Sequence, residues 1–215
     1  MISPFFRRFF PLIALMMRAL VRILAPRHHV TGRHNIPRGG PVIFAPNHVS
    51  DFDPPVLGMA IRFPVVWMAK RELWDISWLG PILDFYCCFP VDPDSSDRGA
   101  LKTGLDTLKN GDGLILFPEG RISQSGELGP ILPGVVLLAL KSGVPIIPVG
   151  IWGAQKIIPH GQILPRFTLA KVNVHFGPPL YFDDLKEESS RQARTIATQR
   201  LQAAMRQARE IARNS

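Results

Sequence analysis

Val42-Ile43-Phe44-Ala45-Pro46-Asn47-His48-Val49-Ser50-Asp51-Phe52-Asp53-Pro54-Pro55 decides how this chain folds. Residues 42–45 are uniformly apolar and short, the pattern of a strand buried on both faces. Pro46 closes the run, and Pro37-Arg38-Gly39-Gly40-Pro41 ahead of it is turn material. Pro54 suits the first position of a helix, so residues 54–62 are expected to be helical. Strand, tight turn and helix in succession is the unit of an α/β domain. The same rhythm continues downstream. Apolar runs at 65–69, 85–91, 114–117, 146–149 and 168–176 read as further strands. Helices are expected between them. Residues 98–110 carry Leu101, Leu105 and Leu108 on one face, with Asp97 as cap and Gly111 as stop. Residues 134–142 end at Gly143. From Ala193 to Ile211, apolar residues recur every three or four positions, with arginines on the other face. The expected fold is a single α/β domain with a mixed central sheet flanked by helices.

Composition narrows the class. The 215 residues are 46% hydrophobic, which excludes a disordered chain and suffices for one buried core. Two adjacent cysteines, Cys87 and Cys88, form no disulfide framework and suit buried thiols in a reducing compartment. No zinc-ligand spacing is present. The net charge of +8 is concentrated at one end. Residues 1–50 hold seven arginines (7, 8, 18, 22, 27, 33 and 38) and no Asp or Glu, and the remainder contributes only +1. A basic end fused to apolar residues points to an anionic lipid surface. No aromatic stacking motif or recognition-helix pattern points to nucleic acid.

Residues 9–17, Phe-Phe-Pro-Leu-Ile-Ala-Leu-Met-Met, carry no charge, and Arg18 and Arg22 follow four apart on one helical face. Phe10, Ile13, Met17, Leu20 and Leu24 can then share another face. Two arginines inside the apolar stretch make a poor bilayer span and a poor signal peptide. They suit a helix lying in the plane of the membrane interface. Residues 1–27 are therefore expected to form a membrane-surface amphipathic helix, with residues 28–215 as the catalytic domain. An ordinary helix packed on the core is the competing reading.

His48 and Asp53 stand just past the strand at 42–45, and ligands bind at the carboxyl ends of strands in open α/β sheets. Histidine is a general base without tuning, and a carboxylate on its second ring nitrogen fixes the tautomer. Five residues apart on a regular helix, the two would point about 140° away from each other. The motif must therefore be a turn leading into a helix. The structural alternatives are a turn histidine, Asp53 as a plain helix cap, and Asp51 as the acid. Ser50 invites reading as a nucleophile, but no Gly-x-Ser-x-Gly elbow surrounds it.

Leu114-Ile115-Leu116-Phe117 is followed at its tip by Pro118-Glu119-Gly120-Arg121-Ile122-Ser123. Arg121 offers a planar fork suited to phosphate. Gly120 allows close backbone approach to a ligand. Glu119 is expected either to hold Arg121 or to meet a substrate hydroxyl. Lys70-Arg71-Glu72, after the strand at 65–69, adds a third basic contribution.

Taken together, these blocks resemble the lysophosphatidic acid acyltransferase family, the 1-acyl-glycerol-3-phosphate O-acyltransferases and their glycerolipid relatives. Asn47-His48 through Asp53 is similar to the family's His, four residues, Asp motif. Ala69-Lys70-Arg71-Glu72-Leu73, with Trp78-Leu79-Gly80, resembles its second block. Phe117-Pro118-Glu119-Gly120 resembles the third and Val144-Pro145-Ile146-Ile147-Pro148-Val149 the fourth. The likeness runs from about residue 30 to 179. Where the family usually continues Thr-Arg-Ser, this chain has Arg121-Ile122-Ser123, a variant resembling the acyltransferase module of 2-acylglycerophosphoethanolamine acyltransferases. The family's Val-Asp-Arg is here Val91-Asp92-Pro93, with Arg98 as the nearest arginine.

The resemblance implies an enzyme with His48 and Asp53 as catalytic residues and Lys70, Glu119, Gly120 and Arg121 binding substrate. It implies no cofactor and no metal. Acyl-CoA or acyl carrier protein is the donor, and a lysophospholipid the acceptor, lysophosphatidic acid first and lysophosphatidylethanolamine as the alternative. Other classes are a serine-type lipid hydrolase using Ser50 and a non-catalytic basic membrane-binding module. The expected location is the cytoplasmic face of the membrane, peripheral or monotopic. Imidazole, with an ordinary pKa of about 6.5, is too weak to deprotonate a free alcohol beforehand. Proton removal must accompany attack on the thioester.

Overall fold

The computed structural model describes residues 2–38, 40–92, 97–162 and 164–215. Gly39 and Pro93, both within motifs quoted above, lie outside them. Seven strands form one sheet: β1 (His28–Thr31), β2 (Ile43–Pro46), β3 (Val65–Lys70), β4 (Cys88–Val91), β5 (Gly113–Ile115), β6 (Ile146–Trp152) and β7 (Val172–Phe176). Their spatial order is β1-β7-β6-β2-β5-β3-β4. All neighbours are parallel except β6 and β7, so the sheet is mixed, as expected.

Among the described residues six α-helices cover it: α1 (Pro4–Leu24), α2 (Asp53–Ala60), α3 (Gly80–Phe85), α4 (Arg98–Lys109), α5 (Gly134–Ser142) and α6 (Ser190–Asn214). Alternation along each strand sends successive side chains to opposite faces. Ile43, Ala45, Val66, Leu114 and Ile146 meet α4, α5 and α6 on one side. Phe44, Val65, Ile115, Ile147 and Val149 meet α2 and the end of α1 on the other. At Gly150 a Cβ would stand 2.1 Å from the Ala208 carbonyl oxygen, so only glycine lets α6 lie this close to β6.

Local signals behave as their chemistry requires. Asp97 caps α4 by accepting from the Ala100 amide at 2.8 Å, and Gly143 ends α5 in the left-handed region. The apolar run at 85–91 divides. Phe85 closes α3, Cys87 turns the chain at φ 58°, and only Cys88–Val91 is strand. Both thiols are free and half-buried, and burial pushes Cys88 up to about 12. β1 was not expected from the sequence. It is a four-residue edge strand whose pairing partner, β7, lies far along the chain.

Helix α1 requires a correction. Ser3 caps it, and Arg7 pairs with buried Asp112, tying its start to the turn before β5. Of the face anticipated for lipid, all but Leu20 packs inward: Ile13 is buried, and Phe10, Met17 and Leu24 are half-buried against the domain. Phe5, Phe9, Leu12, Leu15, Met16, Leu20 and Ile23 are the exposed apolar residues. At about 100° per residue the helix carries three stripes, one facing the core, one apolar and outward, one arginine-bearing. Periodicity marks amphipathicity but does not choose between two apolar stripes.

Candidate active site

β2, β5 and β3 are adjacent and parallel, and Phe44, Ile115 and Trp67 are in register across them. His48 is four residues beyond that line, Glu119 four and Lys70 three. Strands are about 4.8 Å apart, so these three tips share one edge within about 10 Å. The edge is where the sequence placed the ligand.

The chain does turn between His48 and Asp53. Asp53 begins α2, and its Oδ2 accepts from His48 Nδ1 (2.8 Å) and from the amides of Val49 (2.7 Å) and Ser50 (2.9 Å). Oδ1 is buried without a partner. Burial pushes the Asp53 carboxyl above its ordinary pKa, opposed by the hydrogen bonds from His48, Ser50 and Val49. Asp51 is exposed and takes no part. The His48 ring lies flat on Phe117, centroids 3.9 Å apart, and its side chain is 16% exposed. With Nδ1 engaged, Nε2 is the nitrogen left to accept a proton.

The turn itself is clamped from three directions. Asn47 forms paired hydrogen bonds with the Ile151 backbone, donating from Nδ2 (3.1 Å) and accepting at Oδ1 (2.7 Å). The His48 carbonyl accepts from the Ser123 amide at 2.8 Å. The His48 amide donates to Glu119 Oε1 at 2.9 Å, while Glu119 Oε2 accepts from the Gly129 amide at 2.9 Å. Asn47 and Phe117 were visible in the motifs, but nothing in their spacing disclosed these tasks.

Glu119 therefore neither holds Arg121 nor stands free for a hydroxyl. It is buried, and burial raises its pKa against the two amide donors. It is a positioning residue joining the His48 turn to the loop at Gly129. Gln has one acceptor oxygen for these two donors, so Glu119→Gln leaves one amide facing an NH2. The expected cost is about 1–3 kcal/mol of stability, read from the urea unfolding midpoint.

Gly120 sits at φ 65°, so the Pro118–Gly120 turn needs glycine there. Arg121, next to it, is exposed, and Lys70 is half-buried; among the described residues neither side chain has a hydrogen-bonding or ion-pair partner. Arg71 is committed elsewhere, with Nε 2.9 and 3.0 Å from the two Asp92 oxygens. Ser50 is no nucleophile. It is fully buried, donates to the Ile158 carbonyl (2.7 Å) and accepts from the Phe52 amide (3.0 Å). No cluster of three or more potential metal ligands occurs among the described residues.

Comparison with known proteins places the whole chain among known enzymes. A 1-acyl-sn-glycerol-3-phosphate acyltransferase of Bacillus subtilis is 28% identical over 173 residues, covering 80% of this chain and 83% of that one. A chloroplastic protein of the same description from Brassica napus is 29% identical over 163 residues, covering 73% of this chain. The match spans only 46% of that plant protein's length. The crystal structure of the 1-acyl-sn-glycerophosphate (LPA) acyltransferase PlsC from Thermotoga maritima superposes with a TM-score of 0.73 at 26% identity. It covers 95% of this chain and 80% of the Thermotoga chain. The acyltransferase family model matches residues 27–152, more than half the sequence and every strand tip described above except the end of β7. The chain belongs to the acyltransferase family.

Proposed function

We propose that this acyltransferase moves a fatty acyl group from an acyl thioester, on coenzyme A or acyl carrier protein, to the free hydroxyl of 1-acyl-glycerol-3-phosphate, giving phosphatidic acid. The observation that carries the reading is His48, held by Asp53 through Nδ1, at the same sheet edge as Lys70 and Arg121, whose side chains have no partner among the described residues. The acceptor hydroxyl attacks the thioester carbonyl as His48 Nε2 takes its proton. The C–S bond breaks, the thiolate leaves, and the imidazolium returns the proton to it. A thiolate is a good leaving group, so this scheme requires no metal or cofactor. Lys70 and Arg121 are assigned to the acceptor phosphate. Relatives whose names specify the same acceptor support the choice of lysophosphatidic acid over an ethanolamine lysolipid. A buried, fully hydrogen-bonded Ser50 argues against the hydrolase reading.

Thiol release with acyl-CoA and acyl carrier protein donors, across phosphate and ethanolamine lysolipids, tests the assignment. Release dependent on lysophosphatidic acid supports it, and thioester hydrolysis indifferent to any acceptor sinks it. Arg121→Ala is expected to raise the acceptor KM roughly tenfold or more, from the loss of a charge-assisted contact, with kcat nearly unchanged. An effect confined to the donor KM would mean the phosphate lies elsewhere.

Residues 1–27 serve, on this reading, as the membrane-surface element, with the rest as the catalytic domain. No described helix is long and apolar enough to cross a membrane. Helix α1 offers lipid its outward stripe and Arg8, Arg18 and Arg22 beside it. Arg62 and Arg18 crowd Arg33, and burial followed by that repulsion lowers the Arg33 pKa. Anionic headgroups relieve such crowding, which supports assigning the enzyme to the negatively charged cytoplasmic leaflet. Leu12→Asp with Met16→Asp should reduce association with anionic vesicles at least tenfold in co-sedimentation. Undiminished association would remove α1 from the membrane contact.

A further inference from the structure

The two most exposed large apolar side chains in the described structure are Leu164 (78%) and Phe167 (71%), and Leu169 (59%) follows them in the same loop. The loop joins β6 to β7 and leaves the sheet at the edge that carries His48. Its base is built into the site. Ser50 Oγ donates to the Ile158 carbonyl at 2.7 Å, and Gln124 Nε2 lies 3.1 Å from His160 Nε2. The Arg166 amide returns to the Ile157 carbonyl at 2.7 Å, and the Val172 amide donates to the Arg27 carbonyl, just past the end of α1. Ile157 and Val172 belong to the same apolar cluster as Val21 and Ala25. The loop thus stands on the rim of the active site, continuous with the last turn of α1.

Its charge is one-sided. Residues 128–182 contain no Asp or Glu, whereas Lys156, Arg166 and Lys171 lie in or beside the loop. Lys156 and Lys171 also line, with Arg213, a cavity of about 270 Å³. Apolar side chains alternating with cations at a loop tip fit an anionic bilayer surface. Three side chains fall well short of the ~800 Å² per partner that a stable protein interface takes. Inserting a few large residues among acyl chains needs no such area.

We propose that the exposed loop residues Leu164, Phe167 and Leu169 form a second membrane-insertion element, separate from α1, which seats the rim of the catalytic edge in an anionic leaflet. Leu164, Phe167 and Leu169 enter the acyl region, and Lys156 and Arg166 meet the headgroup phosphates, whereas Lys171 Nζ donates to the Ser215 carbonyl at 3.1 Å. Two separated contacts fix the edge toward the lipid, where one helix alone would leave rotation about its axis. The consequence for turnover rests on the acyl-transfer reading, but binding can be measured without it.

The test uses the full chain and its Leu164→Asp/Phe167→Asp variant with vesicles of phosphatidylglycerol and phosphatidylcholine. Expected are at least a tenfold loss of vesicle affinity, an unchanged oligomeric state, and thiol release with a dispersed short-chain lysolipid within about twofold of the parent. Unchanged affinity overturns the proposal. So does a change from oligomer to monomer, which would make this a face between copies. Loss of turnover on the dispersed substrate with affinity retained also overturns it, assigning the loop to the reaction. Phe167→Trp, which keeps an aromatic at an exposed position, provides a second readout. Its added fluorescence should shift to shorter wavelength with anionic vesicles, and no shift counts against insertion. If the parent releases no thiol from any donor, the acyl-transfer reading fails, while the vesicle measurements still decide this proposal.

Discussion

His48→Ala is expected to lower turnover by roughly 10²–10⁴, the range of a general base held in place. The protein uses both ring nitrogens differently. Nδ1 is spent on Asp53, the ring plane is fixed by Phe117, and Nε2 is left for chemistry. Alanine removes the acceptor and nothing else essential to the turn, because Asp53 keeps the Val49 and Ser50 amides. Melting temperature should therefore move far less than kcat. His48→Gln is the sharper comparison, since an amide fills space and hydrogen-bonds but takes no proton. Both variants should be slow on every acceptor. A glutamine enzyme within a few-fold of the parent would show that orientation, not proton transfer, is what this position supplies.

The fold was legible wherever a local residue has a local consequence. The strand ending at Pro46, the cap at Asp97 and the stop at Gly143 each depend on neighbours within a few positions. The Asp53 contact was legible for a related reason. Two residues five positions apart cannot meet on a regular helix, so a turn had to form, and it does. What sequence could not disclose is set by distant partners. β1 exists because β7 is beside it, more than a hundred residues later. Glu119 looked like a ligand for charge because an acid stood beside an arginine. Its carboxylate instead serves the amides of His48 and Gly129, groups that every residue has and no pattern marks. In α1 the apolar residues exceed what one face requires, and only the domain packed against it decides which stripe is spare.

That dependence on backbone donors makes Asp53→Asn informative. Oδ2 accepts three N–H groups, two of them backbone, so the amide oxygen of Asn must take its place. His48 Nδ1 then still donates to an oxygen, and the productive tautomer survives. What disappears is the negative charge opposite the imidazolium formed during attack. At an effective dielectric near 20, a pair about 4 Å apart is worth about 4 kcal/mol, and each 1.36 kcal/mol is a factor of ten in rate. A kcat loss of about 10³ is expected, with little change in either KM. Stability should respond in a distinct way. Burial raises the Asp53 pKa, so the folded protein holds this proton more tightly than the unfolded chain. Its contribution is therefore fully present below the ordinary carboxylate value, near 4, and is lost as pH rises toward the folded value. Asn does not titrate. Across that window the variant must gain stability relative to the parent, while the NH2 now occupying the partnerless Oδ1 position imposes a pH-independent penalty of about 1–3 kcal/mol. Parallel urea titrations of the two proteins over pH 4 to 8 measure the difference. A difference that moves the other way would mean the charged form of Asp53 is the one the fold prefers, and that the carboxylate is held by more than the three donors seen here.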